Sequence, residues 1–146
     1  MGTRATIHIA KREEGVSFSE IPDKTIVDIY HHWDGYPEGL GVTLASYLNN
    51  MKIVNGISNK DNESYLFNGV GCMAASIVAE LKDGPGNVYI EPRGSHAWID
   101  YEYFVWGSTD KDIWISIFED DECIFVGKPQ QLLEKYSYHN DNYDEY

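Results

Sequence analysis

Apolar and polar residues alternate along Thr3–Ala10. Ala5, Ile7 and Ile9 fall on one side, and Arg4, Thr6 and His8 on the other. A period of two predicts a half-buried β-strand. Lys11–Asp23 is polar and holds Gly15 and Pro22, so it reads as a loop. Lys24–Trp33 alternates again, with Val27, Ile29 and His31 on one face and Ile26, Asp28, Tyr30 and His32 on the other. After Pro37 and Gly39 the period changes. Leu40, Leu44, Tyr47, Leu48 and Met51 recur at helical spacing and predict an amphipathic helix over Glu38–Met51. Residues 52–67 read as a loop. Val70, Ala74, Ile77, Val78 and Leu81 mark a second helix, with Asn68 as its expected N-cap and the "DGPG" of residues 83–86 as its stop.

The remainder is strand-rich: "NVYIE" (87–91), "AWIDYEYFVW" (97–106), "DIWISIF" (112–118) and "ECIFVG" (122–127). Glu119, Asp120 and Asp121 separate the last two and read as a tight hairpin. Pro129 opens a short closing helix through Leu132, Leu133 and Tyr136. Residues 137–146 hold no aliphatic side chain and read as a disordered acidic tail.

The order is ββααββββα. It predicts an α+β fold in a single domain over residues 1–136, with a largely antiparallel sheet and two main helices packed on one face. Residues of one parity, Trp98, Asp100, Glu102, Phe104 and Trp106, join Trp114 and Phe118 on a common face. Which parity meets the helices stays open. An aromatic second face needs a cover: a subunit, a ligand, or the loop 52–67. A homo-oligomer is the expectation that follows.

Charge narrows the partners. Eleven basic residues stand against 24 acidic ones, for a net charge of −13. Bulk nucleic acid calls for clustered Lys and Arg, so general DNA binding is not expected. An acidic surface suits solubility or a basic protein partner. No long apolar run predicts a membrane span, and the N-terminus lacks a signal-peptide core, so the cytoplasm is expected. Cys72 and Cys123 lie in no metal-type spacing and read as buried thiols.

The densest chemistry lies in "HHWDGYP", residues 31–37. Alternation puts His31 and His32 on opposite faces, a poor arrangement for one metal ion, and no metal or cofactor is expected. His31 with Asp34, or Ser95 beside His96, would serve a hydrolase or nuclease, but no nucleophile elbow accompanies them. Ligand binding fits better. Trp33 and Tyr36 flank a turn into a glycine-rich helix start, and a second loop brings Arg93, His96 and Trp98. Indoles stack on bases, and arginine holds phosphate. The plainer alternative is a structural corner, with Trp33 and Trp98 in the core and Asp34-Gly35 in a type I′-like turn.

The opening "MGTRATI" and the strand ending "YHHWDGYPEGLG" resemble a group of small bacteriophage and prophage proteins. These begin with an MGTR- or MSTR-type segment and carry Y-x-H/Q-W/F-D-G-Y-P-x-x-x-G after the second strand. Arg4, Trp33, Asp34, Gly35, Tyr36, Pro37 and Gly41 carry the shared pattern. The likeness covers about the first third of the chain and extends loosely to "YEYFVW". It implies an accessory protein acting against host defence in the host cytoplasm. The leading expectation is a non-enzymatic binder that sequesters a nucleotide-type immune signal through Arg4, His31, His32, Trp33, Asp34, Tyr36, Arg93, His96 and Trp98. The alternative is an acidic inhibitor, of anti-CRISPR or DNA-mimic type, that blocks a basic host effector. The third is a small hydrolase using His31, Asp34 and His96.

Overall fold

A computed structural model describes residues 2–56, 65–92 and 98–137. Of the expected tail, Ser137 closes a last helical turn over Leu133–Ser137, and 138–146, like the 93–97 part of the second loop, lie outside the described residues. Strand β1 (Ala5–Lys11) runs antiparallel to β2 (Val27–His31). A π-turn over Pro37–Gly41 leads into α1 (Val42–Leu48), so the first helix is shorter than its periodicity predicts. Pro37 supplies no N–H, and Leu40 N–H donates back to the Asp34 carbonyl, which winds this first turn wide. The segment read as a loop contributes two short parallel strands at its ends, β3 (Lys52–Val54) and β4 (Leu66–Asn68). Then come α2 (Val70–Leu81), β5 (Val88–Glu91), β6 (Tyr101–Gly107), β7 (Trp114–Glu119), β8 (Glu122–Gly127) and α3 (Pro129–Leu132).

The six-stranded sheet has the order β5-β2-β1-β6-β7-β8. Every pairing in it is antiparallel except β1 with β6. This is the α+β architecture the element order predicts. The helices cover the odd-numbered face: Ile7, Ile9, Ile29, Tyr103, Val105, Ile115 and Ile117 pack with Leu40, Leu44, Leu48, Met73 and Ile77 in one buried cluster. On the sheet's other face the chain itself supplies a cover that the local pattern did not predict. The loop between β1 and β2 folds back over it. Phe18 stacks on Trp114 at 4.8 Å and tilts against Trp106 at 5.3 Å, with Val16 beside it, closing a second cluster of Ala10, Phe104, Trp106 and Phe118.

Both sheet edges are blunted by lysine. Lys82 Nζ donates to the carbonyls of Gly86 and Val88, and Lys135 Nζ to that of Ile124.

Three local expectations are corrected. Asn68 does not cap α2. It ends β4, and its Oδ1 accepts the Gly56 N–H at 2.8 Å, while Gly69 at φ +87° makes the turn into the helix. Cys72 is exposed, because the buried stripe of α2 runs through Val70, Met73, Ala74 and Ile77. Strand β6 begins only at Tyr101. Asp100 ends the ladder by accepting the Arg4 N–H on its carboxylate and donating its own N–H to the Arg4 carbonyl, and Trp98 lies at φ +64°, outside any strand.

Candidate functional site

The chain leaves β2 at His31 and turns a corner into α1. Backbone and side-chain bonds fix that corner from three directions. His32 N–H donates to the Asn87 carbonyl at 2.8 Å, and Trp33 N–H to Asn87 Oδ1 at 2.9 Å. Gly35 N–H donates to the Thr3 carbonyl at 2.9 Å. Buried Tyr103 donates its hydroxyl to the Gly35 carbonyl at 2.7 Å. Burial pushes the Tyr103 phenol up, so it stays a donor across the ordinary pH range.

The turn is not type I′. Asp34 is left-handed at φ +57°, but Gly35 is absent from the positive-φ residues. Glycine is required at 35 by close approach: a Cβ there would lie 2.7 Å from the Ala5 Cβ and 2.9 Å from the Thr3 carbonyl.

On this fixed frame the side chains divide. His31 is buried on the helix face, its Nδ1 without a hydrogen-bond partner, and burial lowers its pKa below the ordinary 6.5. His32 points to the opposite face, where Tyr30 and His32 share a 2.8 Å hydrogen bond between the phenol and Nδ1. Trp33 is 51 % exposed and packs edge-on against the His32 ring. Tyr36 is 38 % exposed, so neither ring is a core residue. Asp34 is exposed, and its carboxylate is the first cause that pushes the Tyr36 phenol up; the two lie 3.4 Å apart.

Arg4 lies on the neighbouring strand line, and its charge opposes the upward push of burial on Tyr30. Trp98 is 84 % exposed. Gly2–Arg4 runs between the corner and Asp100, so Trp33 and Trp98 belong to the same end of the sheet. Arg93 and His96 lie outside the described residues.

Register collects acidic residues at that same end. Ala5 pairs with His31 and Tyr101, Tyr101 with Glu119, and Glu119 with Glu122. The β7–β8 hairpin turns through Asp120 and Asp121, both at positive φ, which is a type I′ turn. Asp100, Glu102, Phe118, Asp120 and Asp121 line a groove of about 180 Å³. Partial burial and a hydrogen bond to Glu119 push the half-buried Tyr101 phenol up to about 12. A larger cleft of about 500 Å³ lies elsewhere, under the β1–β2 loop, between Lys11, Ile21, Lys24 and Ile26.

One constellation escaped the sequence reading. His8 lies between two carboxylates, Nδ1 at 2.8 Å from Asp28 Oδ1 and Nε2 at 2.8 Å from Glu102 Oε2, with its ring stacked on Phe104. Thr25 donates its hydroxyl to the same Asp28 oxygen. Alternation puts His8 and Asp28 on the polar sides of their strands and Glu102 on the aromatic face; only the register of β2, β1 and β6 makes them neighbours. The two ring nitrogens face different carboxylates, so this is a clasp across three strands and not a set of ligands converging on one ion. No group of three or more His, Cys, Asp or Glu suited to a metal occurs among the described residues.

No helix among the described residues is long and apolar enough to cross a membrane. No protein-family model matches the chain, and no curated protein or solved structure matches it significantly.

Proposed function

We propose that the protein acts by binding, without turnover, as an acidic inhibitor of a basic host protein. It would work in the host cytoplasm as the anti-defence factor that the phage resemblance implies. The observation that carries this reading is the composition of one end of the sheet. Exposed Asp34, Asp100, Glu119, Asp120, Asp121 and Glu122 gather there with half-exposed Trp33 and Tyr36. Carboxylates spread over a rigid rim imitate a phosphate backbone and steer a basic groove toward it, and aromatic side chains add contact area.

The test is capture from host extract with the intact chain, followed by competition. The captured partner should be basic, should release duplex DNA when this protein is added, and should let go as salt rises. A partner indifferent to salt, or one that keeps its DNA, would overturn the proposal.

Sequestration of a nucleotide-type signal is the second reading. The Trp33 indole, half in solvent beside the His32 ring, supports it as a stacking surface. The surrounding carboxylates oppose it, because they repel phosphate. A thermal-shift screen against cyclic di- and trinucleotides and cyclic ADP-ribose isomers separates the two. A large shift with the nucleotide recovered intact favours sequestration. Recovery of an altered nucleotide favours the hydrolase. That third reading has little support otherwise, since His31 is buried with an unpartnered Nδ1 and no described nucleophile bonds to it.

A further inference from the structure

We infer that the Trp33–Asp34–Tyr36 corner receives an arginine side chain of the basic partner. This rests on the binding reading above and names the contact that gives it selectivity. A large indole on a fold that already fills its core with Trp106 and Phe104 gains nothing by standing 51 % exposed on a turn. The turn is also stiff. Asn87, Thr3 and Tyr103 hold its backbone, and Leu40 N–H donates to the Asp34 carbonyl at 2.9 Å. Asp34 itself is held at φ +57°, a conformation uncommon for a residue with a side chain. A stiff turn presents its side chains with little ordering cost on binding.

The chemistry of those side chains selects a cation. The His32 Nδ1 is engaged by Tyr30, which leaves the corner an indole face, a phenol and a carboxylate. Asp34 makes no ion pair among the described residues. The acidic residues that register brings to this end add a negative field. Within cations, a planar guanidinium fits better than an ammonium. It stacks on an indole and presents paired N–H groups to a carboxylate at the same time, whereas an ammonium is a compact, strongly hydrated point charge.

The experiment titrates the full chain with an oligoarginine peptide and an oligolysine peptide of equal length, at low and at physiological salt. The wild type should prefer oligoarginine by about fivefold or more, the factor a moderate cation–π contact supplies. Trp33→Ala and Asp34→Asn should each reduce that preference to near unity. Asparagine tolerates the left-handed backbone, so Asp34→Asn keeps the turn. Glu122→Gln, at the same end but away from the corner, should weaken both peptides alike. Equal affinity of the wild type for the two peptides, or an unchanged preference in Trp33→Ala, would overturn the arginine inference while salt-sensitive binding of both upheld the basic-partner reading. Failure of both peptides to bind at low salt would overturn the two together.

Discussion

Two groups of aromatic residues can be compared directly. One is Phe104, Trp106, Trp114 and Phe118 on the second sheet face; the other is Trp33, Tyr36 and Trp98 at the sheet's end. The residue types are nearly the same. The first group is covered by the chain itself, through Phe18 and Val16 of the β1–β2 loop. The second is left in solvent, although the turn that carries Trp33 and Tyr36 is bound on several sides. Covered aromatics report on stability. Aromatics left open on a stiff frame report on recognition.

Substitutions should separate the groups by size of effect. Trp106→Ala should cost about 4 kcal/mol, since it empties a fully buried site and strands the Ser116 hydroxyl that accepts its Nε1–H. Chemical denaturation measures this, and a loss under 1 kcal/mol would deny that the cluster is a true second core. Phe18→Ala should cost about 2 kcal/mol and also shift tryptophan emission to the red, because Trp106 and Trp114 lose their lid. An unchanged emission maximum would mean that the loop is no cover.

Tyr103→Phe removes the hydroxyl that holds the Gly35 carbonyl and should cost about 1 kcal/mol. It should also loosen the corner, seen as faster hydrogen exchange at Gly35 and Leu40. Trp33→Ala should change stability by less than about 0.5 kcal/mol while abolishing the arginine preference. A large loss of stability there would return Trp33 to the core and erase the contrast between the groups.

The smallest effect is one of pH. Burial lowers the His31 pKa from 6.5, so just below that value the unfolded chain binds more protons than the folded one. The stabilising contribution is present above 6.5 and is lost as pH falls from there toward the folded-state value. His31→Gln should flatten the stability curve in that interval, as urea unfolding at closely spaced pH values would show.

Much of this was written in local patterns. Period-two alternation placed β1 and β2 within a few residues, helical spacing found α2, and the Glu119–Asp121 turn was legible as a hairpin. Alternation also put His31 and His32 on opposite faces, as they are. These features depend on contacts between near neighbours in the chain, which sequence spacing encodes. The end of β6 was less legible, because Asp100 stops the ladder by bonding to Arg4, a residue 96 positions away.

Residue order alone therefore determined the class of fold, the elements of the main sheet and its principal helices, and the excess of acidic residues, but not the short strands β3 and β4. Tertiary structure decided which face of the sheet meets the helices, that Phe18 packs over the aromatics of the other face, and that His8 is clasped by Asp28 and Glu102. It also decided that Asn87 and Tyr103 brace the HHWDGYP corner and that the carboxylates of separate strands meet at one end. The physical reason is common to all of these. Each depends on the register between strands distant in sequence, and a register is set by the joint packing of both faces, not by the pattern of any one strand.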